Sequence, residues 1–406
     1  LHGAFSLLLA LLVVTDNFAV KHLYERFLRQ STPHSLNSIY YLLNVIGGKL
    51  HQLELANLKQ LLTLVPEDCQ GQPWYLALDD TIQPKFGTHF DAVKILFDHA
   101  RHTGQELVNA HSFVTLGLIS PTGLDAQDQP DYTFFPIASH LYRAKVDHSK
   151  HQQAAELIEQ VLTIVPESQQ LILLCDSWYP KAQIDQTVQA HSNLELIANV
   201  RKDTCLYGLP VQPKVRHRGR PRKYGTAFKA TDITLTSTDQ QDSYGMVRCL
   251  TKLFGIQPVY VIRRQHGNSE RLFLTTIDPN ELKSSFDLDQ SDPAPAQTIL
   301  KSYSLRWRIE TYFYEQKTFW HFGEYQLRRF DEIEAYHFLV NQAYTWMQIL
   351  PLKMVQFKDW KTLSLRERRN RVGQRIQAEI FIERFRQKAQ TCQKTLRLEI
   401  ILPLMD

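Results

Sequence analysis

Cysteine is scarce: the 406 residues hold five, Cys69, Cys175, Cys205, Cys249 and Cys392. No two stand as CxxC, which argues against a structural zinc site. An odd, scattered set on a long chain also argues against a disulfide framework and for a reducing compartment. No GxxxxGK[ST] loop occurs, so nothing indicates a need for a nucleotide. His99 and His102, like His148 and His151, stand three apart without the glutamate of an HExxH site. Long apolar runs are missing too. Phe5–Val14 spans ten residues, about half of the ~20 that a bilayer crossing needs. No Lys or Arg precedes it, as a signal peptide would require. It reads as a buried helix, and no membrane partner is expected. The chain begins at Leu1 rather than Met, so truncation at this end stays open.

With 43% hydrophobic and 22% charged residues, the chain is neither disordered overall nor collagen-like. Its net charge of +4 conceals segregation. Residues 201–230 carry nine Lys/Arg against one Asp, and residues 358–397 carry twelve against four Asp/Glu. Two concentrated basic stretches on an otherwise acidic body suggest a polyanionic partner.

Residues 1–70 read as helical, with apolar clusters in 19–28, 36–45 and 53–64 and Ser35 as an N-cap. From Trp74 the pattern changes. Trp74–Leu78 is a short apolar run ending in Asp79 and Asp80, and Leu171–Cys175 another ending in Asp176. Strands are also expected at 111–119, 132–137 and 194–200, with a helix at 150–165. Near-continuous apolar runs separated by a helix suggest buried, partly parallel strands, hence an α/β sheet. Alternating runs at 230–237, 243–254, 257–263 and 271–277 suggest antiparallel strands. Beyond a Pro/Asp-rich connector at 286–296, helices are expected over 297–320, 331–356 and 364–390.

The most informative stretch is Tyr303–Lys317, YSLRWRIETYFYEQK. At ~100° per residue, Tyr303, Arg306, Glu310 and Lys317 fall within roughly 60° of arc on one helix. That face presents a carboxylate flanked by a phenol, a guanidinium and an ammonium. Trp307, at its edge, reads as a core residue or as a platform for an unstacked base. Aspartates after two strands sit where α/β sheets form their sites. Together with Glu310 they could hold a pair of Mg²⁺ ions for phosphoryl chemistry. Adjacent strand residues face opposite sides, so only one of Asp79 and Asp80 can point there. The D-x-T spacing to Thr81 favours Asp79, with Asp80 the alternative.

The spacing Tyr303-x2-Arg306-x3-Glu310-x6-Lys317 resembles the Y-(2)-R-(3)-E-(6)-K signature of bacterial insertion-sequence transposases of the DDE type. Leu78-Asp79-Asp80-Thr81 and Leu171–Ser177 are similar to that family's two aspartate motifs. The resemblance covers about residues 70–350. It implies a ribonuclease H-like mixed sheet with an antiparallel β insertion and helical N- and C-terminal regions. In that scheme 1–70 is a helical region that could bind DNA, 71–200 the first part of the catalytic domain, and 201–290 the β-rich insertion. Residues 291–356 complete the catalytic domain with Glu310, and 357–406 form a basic helical end.

The resemblance further implies that Asp79, Asp176 and Glu310 bind two Mg²⁺ ions, with Mn²⁺ able to substitute. It implies that Tyr303, Arg306 and Lys317 contact phosphates of double-stranded DNA, the terminal inverted repeats and the target, in a homodimeric synaptic complex at the nucleoid. The alternatives are another ribonuclease H-like nuclease or recombinase, and an inactive transposase descendant that only binds DNA. Separately, Arg216, Arg218, Arg220, Arg222 and Lys223 crowd one loop, whose core, Arg218-Gly219-Arg220-Pro221-Arg222, looks like an AT-hook. The stretch Arg366–Arg371 is a second candidate for phosphate contact.

Overall fold

The computed structural model of the chain describes residues 2–98, 104, 106–143, 149–210, 222–237, 242–279 and 295–396. Contacts divide the chain into two compact units. One comprises Leu1–Leu50, His89–Asp91 and Tyr314–Asp406, the other His51–Thr88 and Ala92–Phe313. No helix among the described residues is long and apolar enough to cross a membrane.

The first unit is helical, with its longest helices at His2–Val13, Leu36–Gly47, Phe330–Lys353 and Leu365–Leu396. The apolar run at the start lies in His2–Val13, where Leu7, Leu8, Ala10, Leu11 and Leu12 are buried, as its composition requires. Gly373 allows the last helix to approach the first: a Cβ there would lie 2.7 Å from the Leu12 carbonyl oxygen. Ser35 caps Leu36–Gly47 as expected, its Oγ accepting from Ser38 N–H at 3.2 Å. Ser35→Ala should lower stability by about 1 kcal/mol, read as a shift in the urea midpoint, with Ser35→Asp largely restoring it.

Among the described residues, the second unit is built on one twelve-stranded sheet. Its first half contains β1 (Trp74–Pro84), β2 (Lys94–Phe97), β3 (Leu107–Leu124), β4 (Pro130–Leu141), β5 (Leu171–Cys175) and β6 (Leu194–Val200). β1 pairs with β3, and β3 with β4, antiparallel. On its other side β1 pairs parallel with β5, and β5 parallel with β6. The order β4-β3-β1-β5-β6 in these directions is the ribonuclease H-like arrangement. The Lys150–Leu162 and Ala182–Ala190 helices make the crossovers that parallel strands need.

The remaining strands are β7 (Leu206–Tyr207), β8 (Ala227–Phe228), β9 (Thr236–Ser237), β10 (Asp242–Thr251), β11 (Val259–His266) and β12 (Ser269–Thr275). They do not stand apart. β12 pairs antiparallel with β6 through Leu272↔Val200 to Thr275↔Ile197, so the insertion continues the core sheet. The strand expected over 230–237 is mostly absent. Ala230–Asp232 is a 3₁₀ turn, because Arg263 Nη1 donates to the Thr231 and Ile233 carbonyls while Lys229 N–H donates to Asp232 Oδ2. Polar contacts to the backbone outcompete the ladder there.

Candidate active site

β1 does not end at Asp79 but runs on to Pro84. What ends is its parallel pairing with β5, whose last pair is Leu78↔Cys175. Asp79 and Asp176 therefore occupy the next level of two neighbouring strands, which run roughly 4.8 Å apart. Alternation along β1 separates its two aspartates. Tyr75, on the Asp79 face, donates its hydroxyl to Ser302 Oγ at 3.2 Å. Asp80, on the other face, accepts from Lys150 Nζ at 2.6 Å and from the Tyr179 hydroxyl at 3.1 Å.

The Tyr303–Lys317 stretch is not the single helix that its spacing predicts. Helix Pro295–Ser304 stops and helix Trp307–Phe319 begins after a tight turn. In that turn Arg306 N–H donates to the Tyr303 carbonyl at 3.0 Å, and Ile309 N–H to the Arg306 carbonyl at 3.1 Å. The four residues thus do not share one helical arc. The turn nevertheless brings Arg306 onto the strand ends. Its guanidinium donates to Asp79 Oδ2 at 3.1 Å and to Glu310 Oε1 at 2.7 Å, linking two carboxylates 231 residues apart in sequence.

Tyr303 serves the same corner. Its hydroxyl donates to the Cys175 carbonyl at 3.2 Å and its ring meets Phe273 edge-on. It is thus engaged with the protein at the end of β5. Asp176 is oriented by its own turn, accepting at Oδ1 from Trp178 N–H at 2.9 Å.

Electrostatics bind the cluster together. Burial, and next the neighbouring Asp176, push Asp79 from the usual 3.8 up to about 7, against the pull of Arg306. Burial also raises Asp176, against the hydrogen bond from Trp178, with the charges of Asp80 and Glu310 adding to the rise. On Arg306, burial opposes the charge, and Tyr303, Asp79 and Glu310 outweigh it.

A set of carboxylate oxygens whose charges oppose one another suits a hard divalent cation. Among the described residues, however, no group of three His, Cys, Asp or Glu side chains is arranged as a ready-made metal cage. The cation between Asp79 and Glu310 is Arg306. The residues fit a divalent cation in chemistry, with Arg306 having to yield some carboxylate oxygens to it.

This electrostatic cost should show in stability. Since the folded value for Asp79 lies above 3.8, ionisation is penalised in the fold. The protein stripped of metal should lose stability as pH rises from about 4 through about 7. Asp79→Asn should remove part of that loss and raise the melting midpoint at pH 8 in EDTA, with less effect at pH 5. A midpoint lowered equally at both pH values would mean that the Arg306 contact outweighs the repulsion.

Lys317 is exposed and belongs to the helical unit. Arg222 and Lys223 are exposed, whereas Arg216, Arg218 and Arg220 lie outside the described residues. The stretch Arg366–Arg371 is not a free cationic face, because Arg368 and Arg369 are buried at 8% and 3% exposure. Arg368 donates to the carbonyls of Met347, Trp360 and Lys361. Sequence reasoning missed Lys150 and Tyr179, the partners of Asp80, and the half-exposed Trp178 after Asp176. Only the closeness of Trp178 and Tyr179 to the strand-end aspartate could have signalled them. Trp307 is 67% exposed, so it is not a core residue.

Among solved structures, the chain is similar to the piggyBac transposase in a synaptic complex with hairpin DNA, determined by cryo-EM. The identity is 12% and the TM-score 0.46, over 95% of this chain and 72% of that one. No curated protein matches the chain significantly. A family profile described as DDE superfamily endonuclease matches residues 49–251, which include Asp79 and Asp176 and stop short of Glu310. That match takes in half of the sequence, and the chain belongs to the DDE superfamily of endonucleases.

Proposed function

We infer that this endonuclease is a transposase that cuts the ends of its own element and joins them to target DNA. The observation that carries the reading is the meeting of Asp79 and Glu310 on Arg306, with Asp176 at the same sheet level as Asp79. Endonucleases of this superfamily work with divalent metal ions. On this reading Asp79, Asp176 and Glu310 hold two Mg²⁺ ions, for which Mn²⁺ can substitute. When bound, such a pair stabilises the attacking and leaving oxygens of an in-line phosphoryl displacement.

The chain's own residues bind and orient. Arg306 lies beside the carboxylates and offers a planar fork to the scissile phosphate. Tyr303 fixes the end of β5 that carries Asp176. Lys317, Arg222, Lys223 and the loop residues Arg216, Arg218 and Arg220 contact phosphates along the duplex. Two substitutions at one site complete the reaction. Water attacks the phosphodiester at the element's end and releases a 3′-hydroxyl, and that hydroxyl then attacks a target phosphodiester. Joining two ends calls for a homodimer on DNA, acting at the nucleoid.

The test is a linear donor bearing the element's terminal inverted repeats, incubated with the full chain, a target plasmid and Mg²⁺. Cuts at the repeat boundary followed by joined products are expected. Nicking without regard to the repeats would favour a general ribonuclease H-like nuclease, and binding without cutting an inactive descendant. The basic loop has its own check. Arg218, Arg220 and Arg222 replaced together by Ala should reduce the slope of log affinity against log salt by about two to three units. An unchanged slope would remove the loop from the interface.

A further inference from the structure

The sheet face opposite Asp79 carries a second constellation. The registers Asp80↔Val114, Ile82↔Ser112 and Pro84↔Ala110 between β1 and β3, and Lys94↔Ala110 between β2 and β3, set Asp80, Ser112 and Lys94 on one face. Tyr142, just past β4, is fixed beside them by its N–H, which donates to the Ser112 carbonyl at 2.8 Å. Two ammonium groups stand over its ring. Lys94 Nζ lies 4.6 Å from the ring centroid and Lys150 Nζ 6.0 Å.

The two lysines are not equivalent. Lys150 is committed to Asp80 at 2.6 Å, and Asp80 also accepts from Tyr179 at 3.1 Å and from Ser112 at 3.4 Å. Lys94 has the Tyr142 ring and no carboxylate partner among the described residues. Burial, and then the charge of Lys150, disfavour its ammonium form. Surface lysines ordinarily keep their charge in water and apart. Here two partly desolvated cations share one ring and, among the described residues, only Lys150 has a carboxylate partner, which leaves the pair with a surplus positive charge. An anion seated there would relieve the repulsion. Asp80 is the chain neighbour of Asp79, so such an anion would sit close to the strand that carries the cutting site.

The geometry points to a phosphate-binding position made by Lys94 and Lys150 over Tyr142, which holds one backbone phosphodiester of the DNA flanking the site. It rests on the reading of the chain as an enzyme that cuts DNA. A phosphodiester suits it because it carries one negative charge on two non-bridging oxygens, and a lysine ammonium meets it as a point charge. Lys94 is the residue to test, since replacing Lys150 would also strip Asp80 of its partner.

The experiment measures binding of the full chain to a repeat-bearing duplex over a range of salt, in EDTA to prevent cutting. Lys94→Gln should bind about eightfold more weakly at 0.1 M salt and flatten the salt slope by about 0.9, the value of one phosphate contact. Lys94→Arg should bind nearly as the natural protein does. Duplexes neutralised at single phosphates by methylphosphonate add a second readout. One position should weaken the natural protein and leave Lys94→Gln unaffected, a coupling that a merely structural role would not produce. Should Lys94→Gln show the natural affinity and slope while the natural protein binds and cuts with Mg²⁺, this position is refuted and the transposase reading stands. Should the natural protein neither bind nor cut the duplex, both fall.

Discussion

Glu310→Gln is expected to abolish strand cleavage while DNA affinity stays within a few-fold of the natural protein. The substitution keeps the shape of the side chain and removes its charge. Arg306 retains Asp79 at 3.1 Å, so the turn between the two helices keeps one of its two anchors. On the proposed reading, what is lost is the third carboxylate that would hold the metal, and with it the stabilisation of the displacement. A loss of at least a thousandfold is expected, equivalent to about 4 kcal/mol in the barrier. DNA affinity rests mainly on cations meeting phosphates, which this change leaves in place. Single-turnover cleavage and equilibrium binding, measured on the same preparation, separate the two. Equal losses in both would make Glu310 a structural residue. Asp176→Asn should behave alike, since Asp176 sits beside Asp79 at the next level of the parallel pair.

The second large effect is expected at Arg369 in the helical unit. Its guanidinium donates to the Val14 and Phe319 carbonyls and lies 4.8 Å from the centroids of both the Phe18 and the Trp320 rings. Burial pushes its pKa down to about 10, so it remains charged at neutral pH. Arg369→Ala would leave two inward carbonyls without a donor, at about 1–3 kcal/mol each. It would also remove a desolvated cation–π contact worth about 2 kcal/mol. We expect a loss of roughly 3–5 kcal/mol, below the simple sum because removing Arg369 also relieves the cost of burying its charge. Arg366→Ala, three residues earlier and exposed, should cost less than 1 kcal/mol. Denaturant unfolding of the two variants checks the contrast, and equal midpoints would mean that Arg369 is dispensable to packing.

The sequence by itself determined the elements whose signal is local. The apolar run of 5–14 had to be buried, and Ser35 could cap the helix that follows because its hydroxyl needs only the backbone three residues on. The strands at 74–78 and 171–175 were legible because apolar residues without interruption admit few surroundings other than the middle of a sheet. Asp79 and Asp176 stand out in the sequence because each follows an apolar run, and Glu310 because it stands among Tyr303, Arg306 and Lys317. The helical wheel over Tyr303–Lys317 assumes one continuous helix, whereas a turn at Leu305–Arg306 divides it, and the contacts that reach the strand ends come from Tyr303 and Arg306.

Only the tertiary structure decided which residues meet. The D-x-T spacing favours Asp79 over Asp80 without saying what either meets, and the pleat of β1 assigns Asp79 to Arg306 and Asp80 to Lys150. The insertion reads as a separate block, yet β12 pairs with β6 because an open sheet edge needs a partner. Arg368 and Arg369 look like any basic face of a helix, and burial against carbonyls and aromatic rings took them out of solvent. Lys94 and Lys150 lie 56 residues apart in sequence. They share one tyrosine ring through strand register and helix placement, which no local pattern encodes.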